Sequence, residues 1–113
     1  MPLEDKALLY DIREACLLVL AFTRDKDYEA YAADPALRSA VERQFITIGE
    51  ALNRLVKLNP EYTARIPQSR AIISFRNILV HGYDRVEDEV VWGIVKQHTC
   101  SLQKTVESLM AAL

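Results

Sequence analysis

Four side chains within eight residues are suited to chemistry. They are Arg76, Asn77, His81 and Tyr83, in the stretch Arg76-Asn77-Ile78-Leu79-Val80-His81-Gly82-Tyr83. Arginine cannot lose its charge and grips a phosphate through two parallel N–H bonds. Histidine, with an ordinary pKa of about 6.5, takes and returns a proton near neutrality. Together the two could drive a metal-free cleavage of RNA. The imidazole would withdraw the proton of a ribose 2′-hydroxyl, and the guanidinium would stabilise charge building on the phosphorus oxygens. Asn77 would support the phosphate or His81, and Tyr83 would line the site. The same residues also have a blander reading. A histidine at a helix C-terminus interacts well with the last carbonyls, and an arginine one turn earlier can bridge to a carboxylate.

The spacing predicts a helix over Ser69–His81, with Ser69 as N-cap and Gly82 as the left-handed residue that ends it. On that helix Arg76 and Tyr83 share a face, while Arg76 and His81 point about 140° apart. They converge only if the helix loosens at its C-terminus or if a second copy of the chain supplies the partner.

The remaining elements are expected to be helices as well. A first helix over residues 3–24 has an acidic first turn and an apolar stripe of Leu8, Ile12, Ala15, Cys16 and Val19. Leu9, Leu17, Leu18, Leu20 and Phe22 widen the stripe beyond one contact face, a pattern that fits a dimer face or a central position in a bundle. Residues 25–27 form a loop and residues 28–33 a short turn. Asp34-Pro35 is a start signal for a second long helix ending near Leu58. Gly49 in its middle costs about 1 kcal/mol relative to alanine, which close approach of another helix would explain. The neighbouring Glu50 either reaches Arg76, holds His81 in one tautomer, or is solvated. Residues 61–66 form a short turn, and a last helix runs over residues 87–110 with Val91, Ile94, Val95, Leu102, Val106 and Leu109 at helical spacing. Trp92 anchors that helix in the core or at an interface.

Composition narrows the class. The 113 residues, half of them hydrophobic and 27% charged, fit one globular domain over 1–113. Only three glycines and four prolines interrupt them, which favours long helices over many strands. The fold class expected is all-α, an up-down bundle of four long helices with one or two short ones. Cys16 and Cys100 have no metal-ligand spacing, and both read as reduced thiols of a cytoplasmic protein. Glu4 and Asp5 stand where a secretory leader would be positive, and the longest apolar run is far short of a membrane span. No H-E-x-x-H, cysteine pair or carboxylate cluster calls for a metal, and no P-loop calls for a nucleotide cofactor. The net charge is −2, so no global field draws the protein to nucleic acid. Between positions 65 and 85, however, four arginines oppose one aspartate, a local +3 that leaves −5 on the rest.

The stretch from Arg76 to Tyr83 resembles the R-x4-H-x-Y motif of the HepT-like branch of the HEPN superfamily. Those are small helical toxins paired with a nucleotidyltransferase antitoxin. Ile48-Gly49-Glu50-Ala51 and residues 86–92 are also similar to that family. One departure is that many relatives carry a tryptophan soon after the proline opening the motif helix, where this chain has Gln68-Ser69 after Pro67. The resemblance implies an endoribonuclease with Arg76 and His81 catalytic, a homodimer with the two motifs facing one cleft, and Tyr83 as the position the antitoxin modifies with AMP. It also admits an alternative, a non-catalytic module that serves mainly as the nucleotidyltransferase's target.

Overall fold

A computed structural model describes residues 2–113. Six α-helices follow in order: α1 (Pro2–Thr23), α2 (Tyr28–Ala32), α3 (Pro35–Leu58), α4 (Tyr62–Arg65), α5 (Ser69–His81) and α6 (Asp88–Ala111). A 3-10 turn, Tyr83–Arg85, lies between the last two, and no strand occurs among the described residues. The fold is all-α, with four long helices packed as a bundle.

Local chemistry accounts for several boundaries. Asp34 caps α3, its Oδ1 accepting from the Leu37 N–H at 3.1 Å with Pro35 at the first helical position. Asp27 caps α2 in the same way, accepting from the Ala30 N–H at 2.8 Å. Beyond the end of α1, Asp25 takes a left-handed φ of 59°.

Two boundary expectations are corrected at α5. Ser69 is not its N-cap: Gln68 precedes the helix in a helical conformation, and Ser69 lies inside it, buried, its hydroxyl without a hydrogen-bond partner among the described residues. The backbone is already turning there, since the Ser69 N–H donates to Ile66 O at 3.0 Å and the Ile72 N–H to Gln68 O at 3.1 Å. Gly82 is not left-handed either, with φ −119° and ψ 41°. Its N–H still donates to Ile78 O at 2.9 Å, and the chain runs into the 3-10 turn through an Arg85 N–H bond to Gly82 O at 2.8 Å. The termination needs no positive φ because one helical form passes into another.

The long helices order as α6–α1–α3–α5 by their main packing pairs. Leu9, Ile12, Cys16 and Val19 of α1 meet Val41, Phe45, Ile48, Leu52 and Leu55 of α3, with Val91, Val95, Leu102 and Val106 from α6. Burying each such side chain contributes about 1.5–3 kcal/mol. From α5, Ile72, Phe75 and Leu79 join the same core, and Phe75 meets Phe45 edge-on at 5.6 Å between ring centroids. Tyr31 stacks on the half-buried Trp92 at 5.2 Å, tying α2 to α6. Tyr62 donates to Asp5 Oδ2 at 2.9 Å, tying α4 to α1. The surplus apolar residues of α1 divide: Leu9 enters the core, Leu20 and Phe22 are half-buried, and Leu17 and Leu18 face outward, as does Tyr10. Cys16 and Cys100 are both free thiols. Burial, helped by the nearby Glu107 carboxylate, pushes the Cys16 thiol up to about 12. No helix among the described residues is long and apolar enough to cross a membrane.

Candidate active site

The site is built where α5 crosses α3. Gly49 lies directly beneath Arg76: a Cβ at position 49 would come within 2.3 Å of the Arg76 Cβ and 2.6 Å of its Cγ. No real side chain tolerates such distances, so the missing side chain of Gly49 is what lets α5 settle onto α3. The aliphatic root of Arg76 fills that notch and fixes where its guanidinium emerges.

From there the guanidinium reaches two acceptors. Its Nη1 donates to Asn77 Oδ1 at 3.0 Å, and its Nη2 lies 3.4 Å from Glu50 Oε1. The Arg76 side chain keeps 22% of its exposure and that of Glu50 keeps 54%. A long pair this open contributes a few tenths of a kcal/mol at most, so its effect is on direction rather than stability. Of the three options for Glu50, the structure selects the reach to Arg76.

His81 and Tyr83 are placed differently. His81 is the last residue of α5, exposed, and its side chain makes no hydrogen bond or ion pair among the described residues. Tyr83 opens the 3-10 turn with 79% of its surface exposed. Because α5 stays helical through His81, five helical steps separate it from Arg76, which turns the two side chains about 140° apart. The helix does not loosen to join them. Arg76, Asn77 and Glu50 are therefore joined by hydrogen bonds, whereas among the described residues the His81 and Tyr83 side chains make none to that group.

Two features beside the motif escaped the sequence reading. The Arg85 guanidinium lies over Gly82, its Nη2 2.8 Å from where a Cβ would stand. On the other side of Glu50, a cavity of about 130 Å³ opens between α1 and α3, lined by Leu8, Asp11, Thr47, Glu50, Ala51 and Arg54. Positions 47, 50, 51 and 54 keep helical spacing, so their shared face was legible. The contribution of Asp11 from another helix was not. Among the described residues no three or more His, Cys, Asp or Glu side chains are grouped so that they could hold a metal ion.

Comparison with known proteins agrees with the motif. A family profile described as "Ribonuclease HepT-like" matches residues 12–109. A Thermococcus cleftensis protein named "Probable ribonuclease HepT" is 35% identical over 113 residues, covering 96% of this chain and 98% of its own. Two Methanocaldococcus jannaschii proteins are similar. "Putative RNase MJ1380" is 35% identical over 104 residues, covering 90% of this chain and 93% of its own. "Putative RNase MJ0125" is 33% identical over 114 residues, covering 100% and 97%. No solved structure matches. With nearly the whole chain matched and these identities across full-length relatives, the protein belongs to the HepT-like ribonuclease family.

Proposed function

We propose that the protein is a metal-independent endoribonuclease, the toxin of a toxin–antitoxin pair, with Arg76 and His81 as its catalytic residues. The observation that carries this reading is the Gly49 notch, which spends a helix-breaking residue on seating one arginine at an exposed helix crossing. In the reaction, His81 takes the proton of the ribose 2′-hydroxyl and the 2′-oxygen attacks phosphorus. Arg76 holds the phosphate oxygens as charge builds, with Asn77 and Tyr83 lining the site. The bond to the 5′-oxygen breaks, and the imidazolium or water returns a proton to it. The products are a 2′,3′-cyclic phosphate and a 5′-hydroxyl.

Divergence of Arg76 and His81 on one unbroken helix supports a homodimer in which two copies of α5 face one cleft. The outward-facing Tyr10, Leu17 and Leu18 of α1 supply apolar surface for such an assembly. Tyr83 is the modification site. A nucleotidyltransferase antitoxin would transfer AMP from ATP to the phenol oxygen, releasing pyrophosphate, and the tethered phosphate would then compete with substrate for arginine. A second reading rests on the same exposed phenol: a non-catalytic module whose main role is to be modified.

The test uses purified protein and single-stranded or transfer RNA. Cleavage that persists with a chelator and leaves 2′,3′-cyclic phosphate or 3′-phosphate ends is the expected result. Loss of activity on chelation, or clean 5′-phosphate ends, overturns the mechanism. No cleavage of any RNA, together with AMP transfer to Tyr83, favours the second reading. Tyr83→Phe should escape the nucleotidyltransferase while keeping some cleavage.

A further inference from the structure

The cavity between α1 and α3 shares a wall with the phosphate-binding arginine. Glu50 lines it, and the same carboxylate lies 3.4 Å from the Arg76 Nη2. Its floor is apolar, made by the buried Leu8 and Ala51. Its rim carries Asp11, Thr47, Glu50 and Arg54, of which the Asp11 and Arg54 side chains make no hydrogen bond or ion pair among the described residues. A volume of about 130 Å³ corresponds to roughly four waters at ~30 Å³ each, enough for a planar base but not for a nucleotide with its sugar and phosphate.

Resting on the ribonuclease reading, we propose that this cavity receives a guanine base of the RNA strand whose scissile phosphate lies at Arg76. Two carboxylates on the rim repel a phosphate, so the backbone stays on the Arg76 side and a base crosses Glu50. Ionised carboxylates only accept hydrogen bonds. Guanine alone among the four bases offers two adjacent donors, N1–H and the N2 amino group, to one carboxylate. Its other edge, O6 and N7, takes both N–H groups of an arginine fork. Arg54 sits one helical turn beyond Glu50 on α3, on the same rim. Uracil meets the carboxylates with two carbonyl oxygens flanking a single N–H and is disfavoured. Adenine and cytosine each present one amino group and fall between. Single-stranded RNA can turn out a base to be read on these edges.

The experiment measures binding, not cleavage. Two 2′-O-methyl hexanucleotides, whose blocked 2′-oxygens prevent reaction, are titrated into the whole protein: all uridine, and uridine with one central guanosine. The expected result is about tenfold tighter binding of the guanosine oligonucleotide, with amide shifts at Asp11, Thr47 and Ala51. Asp11→Asn, at an exposed position that does not threaten folding, and Thr47→Leu, which fills the cavity, should each make the two oligonucleotides equal. Equal affinities in the unaltered protein, or a guanosine preference that survives both variants, overturn the guanine site while the ribonuclease reading stands. Failure to bind either oligonucleotide overturns both.

Discussion

Arg76 and His81 belong to one helix and one motif, yet the protein treats them in opposite ways. Arg76 is rooted in a notch, three-quarters covered, with its guanidinium directed by Asn77 and Glu50. His81 stands exposed at the helix end, its side chain held by no hydrogen bond or ion pair among the described residues. A phosphate-binding group gains from being fixed before substrate arrives, since orientation is then settled in the fold. A proton-transfer group left open can be completed by substrate or by another chain. The contrast explains why one half of the motif has a structural signature in a single chain and the other half has none.

The largest effects should come from removing either group. Arg76→Ala and His81→Ala should each reduce RNA cleavage by about 10²-fold or more, measured with a labelled oligonucleotide. Thermal melting then separates them: Arg76→Ala should lose about 1 kcal/mol through lost packing, and His81→Ala should stay within about 0.5 kcal/mol. Equal destabilisation by both would erase the contrast. Arg76→Lys should fail nearly as badly as alanine in cleavage, because a point charge cannot replace the fork.

Glycine replacements sharpen the same comparison at smaller cost. Gly49→Ala should destabilise by about 1–3 kcal/mol through overpacking, less the ~1 kcal/mol that alanine returns in helix propensity. Gly93 of α6 has nothing within 4 Å of an added Cβ, so Gly93→Ala should stabilise by up to about 1 kcal/mol. A denaturant melt of the pair decides it: similar shifts in both would mean Gly49 is not a packing notch. Gly82→Ala should cost under about 1 kcal/mol, since φ there is −119° and only the flexible end of Arg85 is in the way. A loss of 2 kcal/mol or more would indicate a left-handed residue after all.

The smallest effect lies far from the motif. Partial burial first, then the Asp88 carboxylate, raise the pKa of Glu42, opposed by the Arg38 guanidinium. A carboxyl raised in the folded state contributes stability that is complete below its unfolded pKa and lost as pH climbs through the folded value. The melting temperature of Glu42→Gln relative to the unaltered protein should therefore rise between pH 4 and pH 7. The variant should gain less than about 1 kcal/mol at pH 7, because half-exposed charges are screened. A variant advantage that shrinks as pH rises would contradict the sign.

The residues that were legible in sequence are those whose reasons are local. Asp34-Pro35 carries its own cap, so the start of α3 could be read directly. Gly49 pointed to a close helix contact because glycine has no other use in mid-helix. Ser69 and Gly82 misled for the converse reason. Each matched a local rule, but the backbone around it was already turning helically, through Ile66 at one end and the 3-10 turn at the other. The cavity beside Glu50 could not be read at all, since Asp11 and Glu50 meet only once α1 has packed on α3. Nothing in one helix announces the wall supplied by another.

The order of the helices has a thermal consequence. α1 is flanked by α3 and α6, whereas α5 and α6 stand at the two ends of the row; α5, the shorter of these, rests chiefly on α3, and Gln68 just before it donates to Ser101 of α6 at 2.8 Å. An element anchored along one side opens at a lower free energy than the body it leans on. On warming, α5 should lift away before the α6–α1–α3 body melts, and its amides should exchange with deuterium first. On the proposed mechanism, RNA cleavage should then end at a lower temperature than foldedness does.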